Sequence, residues 1–304
     1  MRPFMRSLLF VTLVLPLALR AQTLDTAKID SALGRTGQKL GEVYKVGFPR
    51  TDLHVSVDGV AIKPGLALGS WAAFIAGKDG AIVMGDLVLL PDELGPVIEK
   101  LRSAGFEVLA IHNHLINETP RVMYVHYMGR GPAEQLAASL REALGASKTP
   151  LEKPATSAEP AAEPDWVKLV QKSIARQGTF KSGVLSYGVP RAAAVTMGPE
   201  KDSRAHSRSA DAMTIPPAAG LAEAINFQDA GSGNVATTGD FVLTADEVNP
   251  VLSELQAHHI SVTALHSHML TEQPRLFFMH FWAVGPPQSV GAGIAAALKH
   301  AATK

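Results

Sequence analysis

At 304 residues the chain exceeds what a single hydrophobic core usually organises, so two domains, or one domain duplicated, are expected. Lysine plus arginine equals aspartate plus glutamate at 28 each, and this balance gives no reason to expect nucleic acid or an anionic membrane surface as a partner. Cysteine is absent, which excludes disulfides, thiolate ligands and a lipid-bearing cysteine and leaves histidine, methionine and carboxylates for any metal chemistry.

Residues 1–21 read as a secretory signal peptide. Arg2 and Arg6 precede an apolar run from Leu8 to Leu19, and small residues follow near Ala21. The run is about a dozen residues against the roughly 20 that span a bilayer. A periplasmic or secreted protein with no stable membrane insertion after processing is therefore expected, with an uncleaved anchor as the alternative and Leu19 an imperfect residue three positions before the cut.

The first half of the mature chain, 22–145, opens with a helix expected over Asp25 to Gly41, whose apolar positions are Ile29, Leu33 and Leu40. Val43 to Phe48 and Pro49-Arg50 follow. Leu53, Val55 and Val57 then alternate up to Asp58-Gly59, and Val60 and Ile62 alternate back, a hairpin with the positive-φ pair of a type I′ turn. A strand is expected over Leu66 to Ala76, a turn at Lys78-Asp79-Gly80, and a strand over Ala81 to Leu90. Pro91 to Ala104 should be a helix, kinked or started late by Pro96. Two strands, Phe106 to His114 and Arg121 to Met128, and an Ala/Leu-rich helix over Pro132 to Leu144 complete the half.

Residues 146–164 change to Ala, Pro, Glu, Lys, Ser and Thr without apolar periodicity and read as a linker. In 165–304 the whole order returns. Trp166 to Gln177 answers the first helix, Gly183 to Pro190-Arg191 answers Val43 to Arg50, and Gly220 to Phe227 answers the Trp71 strand. Pro199 to Ala212 is a polar insertion that reads as a mobile hairpin tip. From Gly85/Gly239 to Gly131/Gly285 the halves align without a gap, and 18 of 47 pairs are identical. Thr244 and Glu247 form a capping-box pattern, Thr-x-x-Glu. The expected class is α+β with internal duplication, each half a mostly antiparallel sheet with helices on one side. The two sheets could pack on each other.

The chemistry sits in one repeated run, AIHNHLINETPRVMYVHYMGRG from Ala110 and ALHSHMLTEQPRLFFMHFWAVG from Ala264. Both carry His-x-His, a glutamate four residues on, Pro-Arg, and a further histidine. The candidate metal ligands are His112, His114, Glu118 and His126 in one half and His266, His268, Glu272 and His280 in the other. Three imidazoles and a carboxylate complete a tetrahedral zinc set, whereas three imidazoles alone leave a position open to water. On a strand, residues two apart share a face, so His112 and His114 can address one ion. His126 joins them only if its partner on the preceding strand is even-numbered, Ala110 for example and not Leu109. The spacing also occurs in the first metal motif of cupins, but the helices here follow the strands too regularly for that fold.

Arg121 and Arg275 could pair with the adjacent glutamates or meet an anionic group, and Asp86 and Asp240 could accept a ring N–H or simply occupy a turn or bulge. Tyr124/Phe278 and Tyr127/Phe281 read as core. Met123 and Met128 invite copper, but Phe277 and Trp282 stand in their places in the second half. The preferred reading is an exported binding protein for a divalent metal, zinc first, with one histidine cluster per half. The alternatives are a metal-dependent hydrolase with Glu118 or Glu272 as base, and a structural or interaction module that binds no metal. Proton competition near pH 6 is expected for an imidazole of ordinary pKa. The substrate, or the partner in the cell envelope, is unknown.

The phrases GLALGSWAAF, VMGDLVL, AIHNHL, INFQ, GDFVLTADEVNPVL, TALHSHML and PRLFFMHFWA are similar to the LppY/LpqO-like family of bacterial exported proteins, a domain of unknown function. The resemblance covers nearly the whole mature chain and implies an envelope location, with no activity attached. Ser267 between the two histidines, where the family has asparagine, and Ala257-His258-His259 in place of a glycine turn are departures.

Overall fold

The computed structural model describes residues 23–77, 80–152, 162–198 and 212–304. The signal-peptide reading of 1–21, Lys78-Asp79 of the expected turn, residues 153–161 of the linker and residues 199–211 of the insertion lie outside the described residues; of the rest of the linker, Ala146 and Leu151 pack on the first-half core.

Each half is a six-stranded antiparallel sheet. In the first, the strands Gln38–Leu40, Val43–Pro49, Gly69–Gly77, Gly80–Leu89, Met123–Gly131 and Glu107–His112 lie side by side in that order. In the second, Thr179–Lys181, Val184–Pro190, Ala222–Gly231, Asn234–Leu243, Phe277–Gly285 and Ser261–His266 repeat it. The helices Thr26–Leu33, Pro91–Ser103 and Ala133–Leu144 cover one face of the first sheet, where Ile29, Leu101 and Leu140 meet Phe74, Leu87 and Tyr127. Asp165–Ile174, Ala245–Ala257 and Pro287–Leu298 do the same in the second, with Val170, Leu255 and Ile294 against Phe227, Phe241 and Phe281.

The other faces of the two sheets are turned toward each other. Met84, Leu109 and Met128 share one core with Val242, Met269 and Phe278, and Val88 and Tyr124 share another with Val184, Ala236 and Trp282. This explains a feature of the sequence. A strand with one wet face alternates, whereas one covered on both faces reads as a continuous apolar run. AIVMGDLVLL is such a run, buried from Ala81 to Leu89, and odd positions face the helices while even positions face the opposite half.

Each half also lends a small cap to its neighbour. The short helix Pro64–Ala67 leans on the second sheet, where Asn226 Nδ2 donates to Leu66 O and Gln228 Nε2 to Ala61 O. The 3₁₀ turn Pro217–Ala219 leans on the first sheet, where Lys45 Nζ donates to Ala218 O.

Several boundaries differ from expectation. The first helix stops at Leu33 because Gly34 turns left-handed (φ +68), and Gln38–Leu40 becomes an edge strand. The expected strand at Leu66 starts only at Gly69, because Pro64 opens a helical turn. Pro96 neither delays nor ends its helix, which runs from Pro91 with Glu93 Oε2 accepting from Leu90 N. The Asp58-Gly59 turn has both φ angles positive, at +48 and +84, as the type I′ reading requires. Glu247 Oε2 accepts from Thr244 N, which closes the capping box.

Candidate metal centre

Strand parity decides which side chains meet. Ala110, not Leu109, pairs with His126, after a bulge between Val108 and Ala110. His126 therefore shares the inner face with His112. In the neighbouring strand Asp86 lies directly across from His126, and in the second half Asp240 lies across from His280. Neither aspartate is at a turn. Each follows a glycine in mid-strand where the adjacent backbone leaves no room: a Cβ on Gly85 would lie 2.1 Å from Trp71 O, and one on Gly239 would lie 1.8 Å from Ala224 O. The strand ends at His112, earlier than expected, so His114 lies just beyond it, stacked on Tyr124 at 3.4 Å between ring centroids. His268 stacks likewise on Phe278 at 3.6 Å.

The first-half triad His112, His114 and His126 converges as expected, but because both inner faces meet, the two sets of histidines do not stay separate. They form a single cluster across the interface. His112 and His266 lie 3.8 Å apart by ring centroids, His114 and His280 3.9 Å, and His126 and His268 3.7 Å, the pattern of an approximate twofold axis through the first pair. Ligand-capable atoms of His112, His266, His268 and His280 fall within 4.8 Å of one another, as do those of His112, His114 and His126, and those of His114, His280 and Asp240.

The glutamates are elsewhere. Among the described residues neither Glu118 nor Glu272 falls within these sets. The chain after His114 and His268 turns away, and each glutamate joins a small separate sheet, Glu118 across from Val57 and Glu272 across from Met197. Glu272 is fully buried, pairs with Arg275 at 3.2 Å and accepts from Leu276 N at 3.1 Å, so this Pro-Arg motif is structural. Glu118 is buried too, and burial raises its pKa against the opposing charge of Arg121.

Imidazole burial costs free energy unless the ring nitrogens find partners, about 1–3 kcal/mol for each polar group left unpaired. The Nε2 atoms of His112, His114, His126 and His268 are buried with no hydrogen-bond partner among the described residues. The remaining pair is more informative. His266 Nδ1 lies 3.3 Å from Ser267 O, and His280 Nδ1 lies 3.3 Å from Gly239 O and against Asp240 Oδ1. Carbonyl and carboxylate oxygens accept, so each Nδ1 carries the proton and each Nε2 a lone pair. These two Nε2 atoms are 2.8 Å apart. At that distance the contact is satisfied either by one proton shared between the two Nε2 atoms, as a hydrogen bond, or by a metal ion that takes both as adjacent ligands. Nδ1 donating to a carbonyl or carboxylate while Nε2 stays free is also how a metal-bound histidine is normally oriented; His112 Nδ1, 3.3 Å from Asn113 O, repeats it.

Burial disfavours the charged form of five of the rings. It lowers His126 to about 3 and His266 to about 4, and with the neighbouring histidines it drives His112, His114 and His268 far below the ordinary value. At these five rings proton competition is thereby displaced well below the pH 6 expected for a free imidazole. Burial, with Asp240 adding to it, pushes Asp86 well up. Burial would push Asp240 up too, but His280 and its neighbours hold it below the usual carboxylate range.

The sequence model of a family described as Domain of Unknown Function (DUF1259) matches the chain twice, over residues 27–146 and 168–300. No curated protein matches. Among solved structures, a trimeric bacterial microcompartment shell protein, PduB, aligns at 10% identity over 87% of this chain and 89% of that one, with a TM-score of 0.19, a value that carries no argument about fold or assembly.

Proposed function

We propose, for a chain that belongs to this family of unknown function through two tandem copies of its domain, that its six clustered histidines bind a divalent transition-metal ion, zinc being the first candidate, in an exported protein. The observation that carries the reading is the convergence of ligand-capable atoms of His112, His266, His268 and His280 to within 4.8 Å of one another, with His266 Nε2 2.8 Å from His280 Nε2. The unpartnered Nε2 atoms of His112, His114, His126 and His268 support it. An all-imidazole set suits zinc, copper, nickel and iron better than calcium or magnesium. Binding is preferred to hydrolysis because the glutamates assigned as base stand outside the cluster.

Metal-free protein should be stabilised by added zinc at pH 7.5, by roughly 2.7 kcal/mol at about 100 times Kd, read as a rise in melting temperature. One shared cluster makes a further prediction: His112→Ala should abolish most of that rise, whereas two independent sites would leave about half. Melting that is unchanged by zinc, copper, nickel, cobalt and manganese alike would leave the histidines as a structural network. Export rests on the leader pattern; among the described residues no helix is long and apolar enough to cross a membrane. Protein from the periplasm should begin near Gln22; an intact Met1 in the membrane fraction would instead mark an anchor.

A further inference from the structure

The twofold arrangement of the cluster is broken at one place, and the break leaves a cavity. On one side, the Tyr124 ring stacks on His114 and its hydroxyl donates to Ala67 O, at the end of the Pro64–Ala67 helix. On the other, Phe278 stacks on His268 at the equivalent position and has no hydroxyl to reach the equivalent residue, Gly220. A cavity of about 50 Å³ lies there, lined by Trp71, Asp86, His126, Gly220, His268 and Phe278 among others. Roughly 10–15 Å³ is enough for one water, so it has room for a few. Gly220 has φ +100 and a Cβ there would meet the Trp71 ring at 3.2 Å, so the wall is built from both halves.

Three groups lining this space are more than nine-tenths buried and carry an atom with no partner among the described residues: Asp86 Oδ1, His126 Nε2 and His268 Nε2. Asp86 Oδ1 is 3.9 Å from His126 Nε2, too far for a hydrogen bond but suited to a third molecule that touches both. Asp240 lines the same cavity but lies against His280 Nδ1, so Asp86 is the lining carboxylate that has no imidazole within hydrogen-bonding distance.

We propose that this cavity is an exogenous-ligand site. It takes a neutral, hydroxyl-bearing molecule of one to three heavy atoms, such as water or methanol, which fills a coordination position on the His126–His268 side of the ion and hydrogen-bonds to Asp86. The inference rests on the metal reading above and deepens it, since it makes the centre open and exchangeable instead of sealed.

The test uses the whole protein loaded with copper(II). Nitrogen hyperfine splitting from imidazole in its electron paramagnetic resonance spectrum reports the ion in the cluster. Hyperfine coupling to ¹⁷O from labelled water, and to deuterium from CD₃OH, reports the cavity ligand. Wild-type protein should show all three. Phe278→Tyr, which installs the hydroxyl that Tyr124 uses on the opposite side, should keep the nitrogen pattern and lose the ¹⁷O and deuterium couplings. Nitrogen splitting without ¹⁷O coupling in the wild type overturns the ligand site and leaves the metal reading standing, as does ¹⁷O coupling that survives Phe278→Tyr. Absence of nitrogen splitting would remove the metal reading, and this inference with it.

Discussion

Arg50→Ala is expected to cost about 3–5 kcal/mol of folding stability, the range for removing one partner from a buried ion pair. Arg50 is fully buried, and every donor on its guanidinium is aimed at an acceptor. Nη1 donates to Val88 O and Glu93 Oε2 at 2.7 Å each, Nη2 to Glu93 Oε1 at 3.0 Å and Asp52 Oδ2 at 2.8 Å, and Nε to Asp52 Oδ1 at 2.9 Å. The contacts tie the ends of two strands, Val43–Pro49 and Gly80–Leu89, and the first turn of the Pro91–Ser103 helix together. Loss of the arginine strands Glu93, itself only 5% exposed. Burial would raise that carboxyl, but Arg50 and the backbone N–H groups of Leu90 and Lys148 hold it below its usual range. Arg191 makes the corresponding contacts to Val242 O and Glu247, and Arg191→Ala should also destabilise. Urea unfolding at neutral pH is the measurement; a loss under about 1 kcal/mol for Arg50→Ala would place the pair among surface bridges and refute the assignment.

The second large effect concerns Glu223 and has the opposite sign. In the first half Ser70 Oγ accepts from Val88 N at 2.7 Å; at the equivalent place in the second, Glu223 Oε2 accepts from Val242 N at 2.5 Å. Glu223 is fully buried and its other oxygen has no partner among the described residues. Burial raises its pKa to about 8; the Val242 N–H and Arg191 pull it down, and Glu247 and Asp240 push it up. The folded state therefore binds the proton more tightly than the unfolded chain, whose glutamates titrate near ~4.3. The associated stability is fully present below that unfolded value and is lost as pH rises through about 8. At about 1.36 kcal/mol per pKa unit, the loss accumulated by neutral pH is on the order of 3 kcal/mol. Glu223→Gln keeps an oxygen for Val242 N and has nothing to ionise. It should leave stability nearly unchanged at pH 4.5 and raise it by a few kcal/mol at pH 7.5. Parallel stability curves for the two proteins across that window would contradict the burial argument.

The same two residues show what a sequence reading can reach. Pro49-Arg50 and Pro190-Arg191 were visible as a repeated dipeptide, but their glutamate partners lie 43 and 56 residues further on and nothing local pairs them. Glu223 looks in sequence like any polar strand residue; only the covering of its face makes it costly.

For the candidate site the division falls at the interface between the halves. The duplication, the α+β class, the antiparallel sheets with helices on one side and the six histidines were legible from residue order alone, because repeats, turn glycines and apolar periodicity act over a few residues at a time. The even partner of His126 could be stated as a condition but not chosen, since a bulge between Val108 and Ala110 sets it. Whether Glu118 and Glu272 join the histidines depended on where a five-residue connection turns, and it turns toward the small sheets. The merging of two histidine sets into one depended on two inner faces that lie far apart in the chain. Burial on both sides of a strand leaves a trace in sequence, the unbroken apolar run at Ala81 to Leu89, but not the identity of what covers it. Local patterning thus determined which residues carry the chemistry, and long-range packing of one half on the other decided which of them share a site.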